Sequence, residues 1–178
     1  MPAVPVPVQR VLDAAERKGM RLEIRNFDHS THTAAEAAAA VGAEIGQIVK
    51  SLVFVADGVE GIRPVLILAS GANSVDVALV ASILTEPTLR RATADEARTL
   101  TGYSIGGIPP FGHVQQIRTL MDPDLTRFET IWAAAGTPTA VFPISPASLR
   151  VLTNAIVTPI AVTRATGPEQ QAASATSA

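Results

Sequence analysis

Lys50-Ser-Leu-Val-Phe-Val-Ala56 and Arg63-Pro-Val-Leu-Ile-Leu-Ala-Ser70 stand on either side of Asp57-Gly-Val-Glu-Gly61. Two apolar runs of strand length around a short glycine-containing connection read as a β-hairpin. Upstream, Val8, Val11, Leu12 and Ala15 share one face of a helix that Gly19 ends. Leu22, Ile24 and Phe27 begin a strand. Thr33 with Glu36 forms a capping box for an alanine-rich helix to Val41, which Gly42 stops. Glu44 to Val49 reads as a further short helix. Downstream, Asp76 to Leu84 reads as a helix, and Thr93-Ala-Asp-Glu96 is a second capping box for a helix to Thr101. Strands follow at Ile117 to Met121, Thr130 to Ala134, Ala140 to Ile144 and Ile156 to Val162. Ser145-Pro146, an N-cap with proline behind it, opens a helix to Leu152. Short paired strands interrupted by helices point to an α+β fold and not to a doubly wound one. Residues 1–8 alternate proline with alanine and valine and are expected to be extended. Residues 165–178 carry no large apolar side chain and read as a disordered tail, leaving residues 1–164 as a single domain.

The 178 residues are 47% hydrophobic and 17% charged, which is enough apolar material for a sizeable core and excludes global disorder. Mean hydropathy is +0.28 and the sequence pI is near 5.9. A net charge of −2 argues against a protein that coats nucleic acid, while permitting a local basic patch. The absence of cysteine removes disulfides, thiolate metal sites and a cysteine nucleophile together. No stretch approaches the ~18 apolar residues that span a bilayer. The opening MPAVPVPVQR lacks the pattern of a secretory signal, so a cytoplasmic location is expected.

The densest unusual segment is Gly102-Tyr-Ser-Ile-Gly-Gly-Ile-Pro-Pro-Phe-Gly-His113, with four glycines and two prolines in twelve residues. Glycine permits positive φ and close backbone approach, whereas proline fixes φ and removes a donor. The result is a stiff loop whose remaining N–H groups can face a ligand oxygen, or simply a structural turn. It matches neither nucleotide-phosphate loop pattern. Lys50 is one of two lysines among twelve arginines, at the head of an apolar strand. Desolvation there would lower its pKa and suit it to a carbonyl or phosphate; the alternative is a lysine snorkelling to water. Lys18 sits at a polar helix end. His29-Ser-Thr-His32 with His113 or a carboxylate as third ligand could bind a metal, but no established ligand pattern accompanies them, and cap-loop residues are the plainer reading. Asn73 and Asp76 could cap a helix or line a pocket. Arg90-Arg91 with Arg10, Arg17, Arg21 and Arg25 could form a basic patch or a solvated face.

With these pieces in place the chain resembles the YbaK/EbsC family, the prolyl-tRNA-synthetase-associated editing domains, from about Val8 to Val162. Three stretches carry the resemblance: Thr33-Ala-Ala-Glu-Ala-Ala followed by Ile48-Val-Lys-Ser-Leu-Val-Phe54; Leu68-Ala-Ser-Gly-Ala-Asn-Ser-Val-Asp76; and Thr101 to Gly112, which holds the family's G-x-x-x-P loop as Gly106-Gly-Ile-Pro-Pro110. The resemblance implies a mixed, largely antiparallel sheet with flanking helices. It also implies hydrolysis in trans of a mischarged aminoacyl-tRNA bearing a small amino acid, often on tRNA for proline. Lys50 would hold the substrate, and Gly106, Gly107, Ile108 and Pro110 would shape a loop whose amides face the ester carbonyl. Ser51, Ser70, Gly71, Asn73, Asp76, Ile105, Pro109, Phe111 and His113 are the implied substrate contacts. No cofactor or metal is expected, and the nucleophile would be water, assisted by the substrate's ribose hydroxyl. The partners implied are the acceptor end of aminoacyl-tRNA and prolyl-tRNA synthetase, for a monomer or homodimer away from membranes. A non-catalytic tRNA- or aminoacyl-binding module is the alternative. Two departures stand out: Gly136 to Phe142 has no acid where some relatives carry aspartate, and Ser74 stands where many carry a basic residue. An apolar pocket of Ile105, Ile108 and Phe111 would favour alanine, whereas Ser51 or His113 within it would favour serine or threonine.

Overall fold

The computed structural model describes residues 3–162. The expected 165–178 tail and the boundary at residue 164 therefore lie outside the described residues. Five helices, α1 (Val6–Glu16), α2 (Ala34–Val41), α3 (Val77–Leu84), α4 (Ala94–Thr101) and α5 (Pro146–Thr153), surround eight strands. The strands are β1 (Arg25–Asn26), β2 (Val49–Gly58), β3 (Gly61–Ser70), β4 (Arg90–Arg91), β5 (Arg118–Met121), β6 (Ile131–Ala134), β7 (Ala140–Ile144) and β8 (Ile156–Val157).

The hairpin is the longest pairing, running in antiparallel register from Val49↔Ser70 to Gly58↔Gly61, with Val59-Glu60 as its turn. It forms the centre of a five-stranded sheet ordered β4-β2-β3-β5-β8, in which β5 and β8 run parallel to β3. A second, antiparallel sheet is ordered β1-β7-β6. The fold is therefore mixed α+β and largely antiparallel, but split into two sheets. One parallel bridge, Ile48↔Trp132, joins them.

Both faces of the hairpin are covered, which is why its strands read as continuous apolar runs without polar alternation. Val53, Val55, Leu66 and Leu68 face inward against Phe142, Ile131 and α1. Phe54, Val65, Ile67 and Ala69 face outward against Val80 and Leu84 of α3. A third cluster packs Ala37 and Ala38 of α2 against Ile48, Trp132 and Val141.

Both capping boxes form as read, with Thr33 on Glu36 and Thr93 on Glu96. Four expectations change. The strand read from Leu22, Ile24 and Phe27 is only Arg25–Asn26. α1 begins at Val6, inside the segment expected to be extended, because Pro7 sits in the first turn where its missing N–H costs nothing. Glu44 to Val49 yields only a 3-10 turn, Ile45–Gln47, before the chain enters β2. The last strand stops at Val157, with Ala161 making a lone bridge to Val75.

Candidate active site

Beyond the Ile48–Trp132 bridge, β2 and β6 separate, and a cavity of about 260 Å³ occupies the gap. One wall is Val49 to Val53 and the other Ala133, Ala134, Ala140 and Val141. α2 and the Thr31–Thr33 segment that caps it cover one side, and Ile105, Gly106 and Ile108 with Thr137 and Pro138 close the other. Arg91 and His32 also reach the lining.

The ladder sets what β2 presents. Ile48 O accepts from Gly71 N on the β3 side (2.7 Å), whereas Val53 O accepts from Ala92 N on the β4 side (3.0 Å). Main-chain groups alternate sides along a strand, so those of Val49 and Ser51 turn towards the cavity. Side chains alternate between faces. Ser51 thus lies on the inward face with Val49 and Val53, and its Oγ is buried with no hydrogen-bond partner among the described residues. Lys50 lies on the other face with Leu52 and Phe54. Its Nζ donates to the main-chain carbonyl of Asn73. Burial pushes the Lys50 ammonium below the usual lysine range and nearby Arg91 pushes it the same way, while Asp122 acts against both.

The glycine loop is held from outside the cavity. Arg10 of α1 stacks on Tyr103, 4.5 Å from its ring centre, and donates to Gly102 O (3.2 Å). Tyr103 Oη donates to Gly112 O (2.9 Å), and His113 Nε2 donates to Pro109 O (2.7 Å). Burial holds the His113 imidazolium below the usual histidine range. At the cavity end, Gly106 has φ +96°, and a Cβ on Gly107 would sit 2.7 Å from the Thr137 backbone. The loop tip therefore requires glycine at both positions. Gly107 N donates to Ser104 O (3.1 Å). The amides of Gly106 and Ile108 make no hydrogen bond among the described residues.

The structure thus brings Lys50, Ser51, Ile105, Gly106 and Ile108 to one cavity. Gly107 supports the loop there, while Pro109 and Pro110 are buried in its far limb. Phe111 packs on Phe142 with ring centres 5.8 Å apart, and His113 braces the loop, so neither lines the cavity. Ser70 Oγ donates to Gly46 O (2.8 Å), and a Cβ on Gly71 would sit 2.3 Å from Ile45 O. Asp76 caps α3 by accepting from Leu79 N (3.0 Å). Asn73 touches Lys50 but not the cavity. Among the described residues no three His, Asp or Glu side chains gather as metal ligands; His32 Nε2 meets Ser30 Oγ instead (3.0 Å). Sequence reasoning missed Trp132, Thr137 and Ala37, which carry no chemical signature. It saw Arg91 only as part of a basic patch.

A model of the aminoacyl-tRNA editing domain matches residues 28–152. The chain belongs to that family. Among solved structures, this editing domain is 42% identical to one described provisionally as a trans-editing enzyme for prolyl tRNA synthetase, with a TM-score of 0.83, covering 90% of this chain and all of that one. The hypothetical protein APE2540 is 26% identical with a TM-score of 0.78, covering 86% and 99% of the two chains. Proline–tRNA ligase of Limosilactobacillus fermentum is 35% identical over 96 residues, 53% of this chain and 17% of the ligase. YwhH of Bacillus subtilis, uncharacterized, is 29% identical over 127 residues, 71% of this chain and 78% of that one. The residues matched by the family model include β2, the glycine loop and β6, and so nearly all of the cavity wall.

Proposed function

We propose that this editing domain is an aminoacyl-tRNA deacylase acting in trans, which hydrolyses the ester of a small amino acid wrongly carried by tRNA, with tRNA for proline the expected carrier. The observation that carries the reading is the convergence of Lys50 and the Gly106–Ile108 loop tip on one cavity of amino-acid size. A synthetase pocket separates near-isosteres by only ~1–3 kcal/mol per methylene, so a second sieve is useful. A cavity of about 260 Å³ lined by the small and apolar side chains of Ala37, Val41, Ala97, Ala133 and Val141 suits an aminoacyl group with a small apolar side chain.

In this reading the aminoacyl group enters between β2 and β6, and the terminal ribose stays at the lip beside Lys50 and Arg91. The ester carbonyl faces the free amides of Gly106 and Ile108. As water adds to the carbonyl carbon, its oxygen becomes an oxyanion, which those amides stabilise. Removing one donor of this type typically costs ~3–4 kcal/mol. The ribose oxygen leaves with the water's proton, yielding free amino acid and tRNA. Lys50 supplies a positive charge beside the scissile ester, and the unpartnered Ser51 hydroxyl supplies one hydrogen bond to the bound amino acid. A protein that works on tRNA is expected in the cytoplasm, and no helix among the described residues is long and apolar enough to cross a membrane.

The test is a deacylation panel of tRNAs charged with Ala, Ser, Cys, Thr and Pro. One small aminoacyl ester is expected to be cleaved well above the rest. If tRNA binds and no ester is cleaved, the domain is an aminoacyl-tRNA-binding module and the enzymatic reading falls. Ser51→Ala identifies the group that the hydroxyl meets. Selective loss on Ser or Thr esters assigns it to the side chain, and uniform loss to the α-amino group.

A further inference from the structure

Asp122 is 1% exposed and makes no ion pair among the described residues. Isolated buried carboxylates are costly unless their oxygens are satisfied. Here Oδ2 accepts from Ser70 N (3.0 Å) and from Asn73 Nδ2 (2.8 Å), and Oδ1 accepts from Asp124 N (3.0 Å). Asn73 Nδ2 also donates to Asp124 Oδ2 (2.8 Å). The side-chain amide of Asn73 is thus anchored to both carboxylates, and its main-chain carbonyl receives the Lys50 ammonium. The turn is fixed further by Asn73 N donating to Ser70 O (3.0 Å) and Asp122 N donating to Leu68 O (2.9 Å).

We propose that Asp122, acting through Asn73, is the positioning unit for Lys50: it locks the 70–73 turn so that one carbonyl holds the ammonium at the cavity lip. The inference rests on the deacylase reading for its consequence, but the geometry belongs to the fold. Without the anchor, Asn73 O would be free to move and a four-carbon side chain would lose its fixed end. Asp122 has a second effect through space. Lys50 feels Arg91 from β4 and Asp122 from the segment after β5; Asp124 meets Asn73, and His32 lies elsewhere on the cavity lining. Of these, Asp122 is the buried negative charge, and it favours the protonated ammonium.

The experiment uses the full chain and two readouts. The first is competitive acetylation of Lys50 against pH, read by mass spectrometry. Lys18, the only other lysine, serves as internal reference. The second is kcat and KM for the cleaved ester. Asp122→Asn keeps the shape and removes the charge. It is expected to move the Lys50 labelling midpoint down, the direction of a lost neighbouring opposite charge, and to lower kcat about tenfold with little change in KM. Asn73→Ala, at a half-buried site, keeps the charge. It is expected to lower kcat similarly while leaving the midpoint near that of the unchanged protein. Should Asp122→Asn fail to fold, Asn73→Ala still decides the positioning claim through kcat and through faster acetylation of an untethered Lys50. Folded variants with unchanged labelling and unchanged kcat overturn the proposal. If the unaltered protein shows no turnover, the deacylase reading fails, and unchanged or shifted labelling still decides the network by itself.

Discussion

An ammonium that is partly desolvated and faces a guanidinium surrenders its proton more readily than an exposed lysine. For Lys50 both effects act together, with burial the larger. If the protonated form is the working form, deacylation has an alkaline limb. Activity is full below the Lys50 pKa and falls as pH rises through it, at a pH below the 10.5 of an ordinary lysine. Single-turnover rates against pH, corrected for spontaneous ester hydrolysis, check this. Lys50→Arg, which stays protonated throughout, removes the limb along with most of the rate. At this scale the sequence was informative where chemistry is rare. A lone strand lysine and a loop of glycine and proline could be singled out before any coordinates. Asp122 could not, because MDPDL reads as an ordinary turn. Its importance arises only when β5 is laid beside β3 and its carboxylate meets the amide of Ser70. Nor could the sequence decide that Gly107's amide is already used by Ser104.

The elements that frame the cavity begin with caps that are local and therefore legible. Thr33 and Glu36 satisfy each other's orphan amides, and Glu36 Oε2 also accepts from His32 N (2.7 Å). That contact ties the start of α2 to the segment lining the cavity mouth. Thr33→Ala is expected to cost about 1 kcal/mol, measured by urea unfolding. It should also raise KM for the ester more than it lowers kcat, because the rim loosens while Lys50 and the loop stay in place. Elements made by tertiary pairing were harder to read. β4 has two residues and exists because Phe54↔Arg91 and Val55↔Arg90 pair. Nothing local marks it, and Arg90-Arg91 looks like surface charge. The strand expected over 156–162 shortens because only Leu120 and Met121 offer it partners. Pairing, more than local propensity, sets strand length.

Across the molecule, the division into two sheets is the feature that creates the site, and it was not visible in the sequence. Strand patterns reveal which residues are buried, but not that β2 and β6 part after a single bridge. The five-stranded sheet is tied to α4 at its edge by charge. Arg90 pairs with Glu96 (2.8 Å) and with Asp57 (3.3 Å). The Arg90 guanidinium and the amide of Thr93 pull the Glu96 carboxyl down from 4.5 to about 2. A depressed carboxylate stabilises the fold above its unfolded pKa and loses that contribution as pH falls through the folded one. Stability should therefore decline between about 4.5 and 2, and the decline should flatten in Glu96→Gln, as read by thermal melts against pH. The most direct test of the account is the single-turnover cleavage of the preferred aminoacyl-tRNA by the unaltered chain and by Lys50→Ala at saturating protein. The account predicts rapid cleavage by the first and a rate at least a hundredfold lower, roughly 3 kcal/mol of barrier, for a folded variant that still binds tRNA. Equal rates for the two would contradict it, because Lys50 would then take no part in the chemistry.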